Sequence, residues 1–275
     1  MTENVNLGFH LCIMEIAGYI VSLLIGISLG MIGAGGSILT LPVLVFMFGI
    51  DPLAATTYSL FVVGVSSTAA LVTKLKQKLV DFKTAFLFGL PSFITVVLTR
   101  RFLLPVIPHT FNLDGIIITQ SSAMLIVFAG LMIVASLSMI RDKSLEKTKP
   151  VASLFSLLLQ GATVGLLTGV LGAGGGFIII PALVLVSKLP MKVAVATSLF
   201  IIAVNSLVGL SVDLLQSTHL LNWKILISVT ILSLIGTVIG SKLSVLANPV
   251  RLKHGFGWFV LLMGTYILFT EAIIV

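Results

Sequence analysis

Mostly apolar runs long enough to cross a lipid bilayer, among them Ile116–Ile140 and Val193–Val212, restrict this chain more than any other feature. A helix of about 20 such residues covers the hydrocarbon. Of 275 residues, 58% are hydrophobic and only 9% charged, with a mean hydropathy of +1.23. A soluble domain carries about a quarter charged residues, so the chain is an integral membrane protein. The net charge of +7 does not point to nucleic acid. Its Lys and Arg residues sit between apolar segments, as topology determinants do, and form no basic stripe with interleaved aromatics. The single cysteine, Cys12, excludes an internal disulfide or a multi-thiolate metal site. His10, His109, His219 and His254 have no paired ligand spacing, so neither metal nor cofactor is expected. The polar stretch Met1–Phe9 lacks the basic start of a signal peptide.

Ten apolar segments are read at about 10–30, 37–50, 53–73, 84–105, 116–140, 151–170, 176–188, 192–214, 223–247 and 255–274. Segments 37–50 and 176–188 are short for a crossing, and each follows a glycine cluster. A charged linker, Arg141–Pro150, separates a first membrane repeat (1–140) from a second (151–275). The halves repeat at an offset of 139 residues. Gly26, Gly30, Gly33, Ala34, Gly35 and Gly36 fall on Gly165, Gly169, Gly172, Ala173, Gly174 and Gly175. Pro42, Ala55, Ser59, Leu60 and Phe61 fall on Pro181, Ala194, Ser198, Leu199 and Phe200. After a two-residue insertion, Asp81-Phe82-Lys83 meets Asn222-Trp223-Lys224. Duplicated halves of this kind define transporter architecture.

Loop charge sets the orientation. If all ten segments cross, thirteen basic residues share the side of the linker, and Arg100, Arg101 and Lys224 fall on the other. If the two short segments turned back without crossing, the split would be nine against seven. The positive-inside rule favours ten crossings, a cytoplasmic linker and both termini outside. Five crossings per half make the repeats inverted relative to one another. The expected fold is therefore all-α, with two inverted five-segment repeats of transmembrane or half-membrane helices.

The duplicated motifs Gly30–Pro42 and Gly169–Pro181 carry most of the functional information. Consecutive glycines oppose continued helix, at about 1 kcal/mol each relative to Ala, and the prolines remove backbone donors. Irregular backbone at membrane depth survives only against protein or a water-filled cavity. Glycine also lets free N–H groups approach a ligand. A helix starting near Ser37 or Phe177 would aim its unpaired N–H groups at that space, making an anion site without a buried lysine. Gly33, Gly35, Gly36, Ser37, Gly172, Gly174, Gly175 and Gly176 are thus candidate substrate ligands. Gly26, Gly30, Gly236 and Gly240, spaced small-xxx-small, are read as helix-packing residues. Neither GxxxxGKS/T nor GxGxxG is present, which excludes two nucleotide-binding readings.

The duplicated GxGGxxxxxP pattern, the S-L-F that follows each copy (with Thr197 ahead of it in the second), and Gly236–Lys242 (GTVIGSK) resemble the sulfite exporter TauE/SafE family over nearly the whole chain. The resemblance implies a multi-pass carrier of the cytoplasmic membrane for a small, mostly sulfur-containing anion such as sulfite, a sulfonate or thiosulfate. The first half departs from it: Thr95 and Thr99 stand where the second half has Gly236 and Gly240, which argues against close packing of the fourth segment.

Hydroxyl and amide groups within the third and eighth segments add candidates. Ser59, Ser198 and Asn205 can offer neutral donors to an oxyanion; Ser67 and Ser206, also repeat mates, rank behind them. The alternative for each hydroxyl is a bond to its own helix. Glu15 has no acidic repeat mate and lies within reach of the interface. Asp51 and Asp213 read as loop residues, so no buried proton carrier is expected. The chain has no His-Glu-x-x-His and no grouped carboxylates, which argues against an intramembrane enzyme. An anion channel and a non-transporting assembly or sensor subunit are the competing readings. The expected partners are a small anion and the lipid bilayer, with no nucleic acid.

Overall fold

The computed structural model describes residues 2–33, 36–108, 110–113, 116–140, 154–172, 174–185, 187, 189–216, 221–244 and 249–274. The linker Arg141–Pro150 lies outside the described residues, as do Ala34, Gly35 and Ala173. Among the described residues ten helices follow one another: α1 (Thr2–Ile32), α2 (Ser37–Phe46), α3 (Pro52–Lys76), α4 (Phe82–Val106), α5 (Gln120–Ile140), α6 (Leu154–Leu171), α7 (Gly176–Leu185), α8 (Met191–Gln216), α9 (Trp223–Leu243) and α10 (Pro249–Ile274). Seven of them are long and apolar enough to cross a membrane. Exposed rows such as Ile16, Ile20 and Leu24 on α1, or Ile227, Ile231 and Ile235 on α9, give each an apolar outer face. Such rows suit lipid and would be out of place in water.

The spans start where their sequences supply caps. Asp51 accepts from the backbone N–H of Leu53 ahead of Pro52, and Asp81 from that of Lys83. Asn222 does the same for Ile225 at the head of α9. Two departures from the sequence reading stand out. The fifth segment does not begin as helix at Ile116. Residues Thr110–Leu113 and Ile116–Thr119 form an antiparallel hairpin, β1 and β2, and helix starts only at Gln120. The β-branched run Ile116–Thr119 after Asp114-Gly115 is a hairpin signal, and an apolar run this short does not separate strand from helix. α2 and α7 have ten residues each. At 1.5 Å per residue that is about 15 Å, half the hydrocarbon thickness.

The main helix pairings repeat when the halves are exchanged. α1 packs on α9 as α6 packs on α4, α3 on α9 as α8 on α4, and α2 on α3 as α7 on α8. α3 pairs with α8, and α5 with α10, across the centre. Individual bonds repeat the relation. Ser66 and Ser233 share a 3.0 Å hydroxyl pair, and at the equivalent positions Asn205 donates to Ser92 at 2.6 Å. Tyr58 accepts from the backbone N–H of Asn222, while Thr197 accepts from that of Asp81 at 3.0 Å. Equivalent helices α3 and α8 run antiparallel, because Thr57 bonds Asp213 whereas Gly64 lies against Ser206.

Glycine fixes the tightest crossings. A Cβ on Gly26, Gly30, Gly236 or Gly240 would come within 2.1–2.2 Å of a carbonyl oxygen across the α1–α9 crossing. These are packing glycines, as their spacing indicates. The α4–α6 crossing is equally close, contrary to expectation. Gly161, Gly165 and Gly169 of α6 rest against Phe88, Ser92, Thr95 and Thr99, so glycine on one helix suffices.

Candidate functional site

The second glycine loop descends along α3. Gly172 (φ +64°) lies against Thr56, near the start of that helix. Gly174 (φ +65°) lies against Val63 of α3 and against Ile202 and Ser206 of α8, midway along both. Gly175 (φ +67°) lies against the Thr168 hydroxyl, and α7 begins at Gly176. Three left-handed glycines in four residues explain the cluster, because an L side chain is disfavoured at each. The irregular backbone is buried between α3, α6 and α8, where membrane-depth loops are tolerated.

The first loop is only partly described. Gly33 (φ +88°) lies against Val195, the repeat mate of Thr56. The Gly33–Val195 and Gly172–Thr56 contacts are thus equivalent. Gly36 has an ordinary helical φ of −67° and packs against Ile25 and Leu29 of α1. It is a packing residue rather than a loop tip. Ser37 opens α2 fully buried. Gly35, the mate of Gly174, falls outside the described residues.

Among the hydroxyl candidates, Ser198 donates to the Val195 carbonyl at 2.8 Å, an ordinary helix back-bond. Asn205 reaches Ser92, and its Oδ1 has no partner. Since Ser92 can donate as well as accept, the amide can turn its NH2 toward a ligand. Ser59 is fully buried and unpartnered. So are Ser67, Ser206 and Thr168, and the last two face the second loop. A buried hydroxyl without a partner is uncommon, and two at one loop mark a place where something else supplies the bond. A crevice between α1, α2, α3 and α9, lined by Ser22, Thr40 and Ser233, lacks this feature. Its hydroxyls are satisfied by Gly18, Gly36 and Ser66.

The largest correction concerns charge. Arg100 is 1% exposed, and Asp213 is 7% exposed within α8. They form an ion pair, and Thr57 donates to the same carboxylate oxygen at 2.6 Å. Asp213 is therefore not a loop residue, and Arg100 is not a loop cation on the sparse side of the charge count. Ser92, Val96 and Arg100 line one face of α4, and Asn205, Gly209 and Asp213 line the facing stripe of α8 in step. A π-helical turn, Thr99–Leu103, holds the arginine, and such turns recur at functional sites.

The model of the sulfite exporter TauE/SafE family matches residues 19–267. The chain belongs to that family. It is 29% identical over 259 residues to a "probable membrane transporter protein" of Xylella fastidiosa, covering 89% of this chain and 91% of the relative. It is 33% identical over 221 residues to the "probable membrane transporter protein YunE" of Bacillus subtilis, covering 74% and 79%. A relative from Methanocaldococcus jannaschii with the same description is 27% identical over 246 residues, covering 86% and 87%. No solved structure matches the chain. It is thus a multi-pass membrane transporter, of a family whose members are named for transport rather than catalysis.

Proposed function

We propose that this transporter is a carrier for a small sulfur-containing oxyanion, with sulfite, thiosulfate or a short sulfonate as substrate, in the cytoplasmic membrane. The observation that carries the proposal is Gly174. It holds a left-handed turn midway along α3 and α8, beside the unpartnered Ser206 hydroxyl and two residues before the start of α7. A helix N-terminus presents unpaired N–H groups and a positive dipole end. Neutral donors of this kind bind an anion yet release it, as a carrier requires. The antiparallel α3–α8 pair and the exchangeable packing of the halves support inverted repeats that rock around this centre. Burial of Arg100 leaves Arg101 and Lys224 as the basic residues opposing the thirteen on the linker side. That supports a cytoplasmic linker and outward termini.

The structure also selects the test. Gly174→Val would be strained at φ +65° whatever Gly174 binds, so it does not separate substrate contact from folding. Ser206→Ala does. An orphan hydroxyl contributes nothing to the unliganded fold, so the variant should keep or slightly raise its melting temperature. Sulfite affinity and liposome uptake should fall roughly tenfold, the scale of one hydrogen bond to a charge. Unchanged affinity in a folded Ser206→Ala protein would remove the glycine-loop centre from the transport path.

A further inference from the structure

We infer that Arg100 forms a second oxyanion site, one helical stretch beyond the glycine loop, with its Nε–Nη2 edge open to substrate while Asp213 holds Nη1. This rests on the anion-transport reading above.

The guanidinium is placed as a ligand-binding group is. Only Nη1 meets Asp213, while Nε and Nη2 are buried without a partner. The Nε–H and one Nη2–H of a guanidinium point the same way, forming the fork that grips two oxygens of a carboxylate, sulfonate or sulfite. A purely structural ion pair at this depth would be expected to satisfy its remaining donors, since each orphan is costly. Here the recognition edge is the one left empty.

The two centres lie along one stripe of α8. Gly209 stands between the two centres on α8, and a Cβ there would lie 3.5 Å from the Arg100 Cδ and 3.1 Å from Leu60. From Ser206 to Asp213 is seven residues of α8, about 10 Å along the axis. An anion leaving the glycine loop toward the α8 C-terminus therefore meets the Arg100 fork next. The pair is neutral as it stands. A substrate on the fork shares the guanidinium charge with Asp213, which Nη1 and Thr57 hold in place.

The test is equilibrium binding of sulfite, thiosulfate and ethanesulfonate to full-length protein in detergent, with thermal unfolding alongside. Asp213→Asn keeps shape and an acceptor for Thr57 but removes the competing charge, so it should bind roughly tenfold more tightly. Arg100→Gln should bind roughly tenfold more weakly. Arg100→Lys retains a charge to pair with Asp213 but lacks the fork, and should still lose affinity several-fold. Equal losses of stability in Asp213→Asn and Arg100→Gln, with wild-type affinity in both, would make the pair purely structural. If Asp213→Asn does not fold, wild-type affinity in Arg100→Lys overturns the site by itself. Wild-type protein that binds none of the three anions overturns the transport reading and this site with it. Wild-type binding that survives unchanged in every variant overturns this site alone.

Discussion

At one end of the α3–α8 seam, Thr57, Arg100 and Asp213 close on one another. At the other end the repeat register puts Ala196, Ser241 and Lys74 in the equivalent places. Ser241 bonds only to its own helix, and Lys74 has no carboxylate within ion-pairing reach among the described residues. In equivalent places of one backbone plan, one end (the sealed end) holds a neutral ion pair and the other (the open end) a half-buried cation. A seam with unlike ends has a polarity that its backbone lacks, which a carrier working between two compartments can use.

The sharpest way to break this contrast is to remove one member of the sealed end. Arg100→Ala leaves a buried carboxylate held only by Thr57. Loss of one partner of a buried pair costs about 3–5 kcal/mol. Thermal or denaturant unfolding in detergent should show that loss, and Arg100→Gln with Asp213→Asn should recover most of it. Full stability in the single variant would mean that water reaches the pair.

A smaller effect is expected at Gly209, whose mate at the open end is Ala70. Ala is favoured over Gly by about 1 kcal/mol inside a helix, yet a Cβ at Gly209 would press on Leu60, Val96 and Arg100 at 3.1–3.5 Å. Overpacking costs about 1–3 kcal/mol, so Gly209→Ala should lower stability by about 1 kcal/mol despite its better propensity. Stabilisation instead would show that the sealed end has slack.

Much of this architecture is legible in one dimension. Hydropathy marks the spans, one offset marks the duplication, and paired Gly and Pro clusters mark the half-length helices α2 and α7. The Arg100–Asp213 pair was not legible, because it depends on which helices become neighbours. Its members lie 113 residues apart, and neither has a charged mate of its own sign in the other half. The one available sign was Arg100 itself, a cation on the sparse side of the charge count. Ranking among the hydroxyls also needed tertiary contacts. Ser198 looks like Ser206 in sequence, but only the former finds its own helix carbonyl.

At the open end, Lys74→Gln removes a half-buried cation that no carboxylate offsets among the described residues. It should leave the sealed end and overall stability intact. A charge at the mouth of a pathway raises the capture rate of anions, and salt screens it. The variant should therefore slow sulfite uptake by about two- to fivefold at low ionic strength, with the gap closing at high salt. A deficit that persists at high salt would make Lys74 a direct ligand rather than a collector.

The smallest effect separates two carboxylates that hydropathy alone does not rank. Glu15 lies on the exposed face of α1, and its repeat mate is Leu154. It makes no hydrogen bond or ion pair among the described residues. Asp213 is buried at one end of the seam, paired with an arginine and bonded to a threonine. A carboxylate that couples transport must meet the substrate or a charge that moves with it, and of these two only Asp213 is placed to do so. Glu15 sits near the head of its membrane span, within reach of the headgroup region, where a long acidic side chain extends its charge to water. Glu15→Gln should accordingly keep wild-type flux, and its flux-against-pH curve should superimpose on the parent's in liposomes. A displaced pH curve in a stable Glu15→Gln protein would give the coupling role to the periphery and reduce the sealed end of the seam to scaffolding.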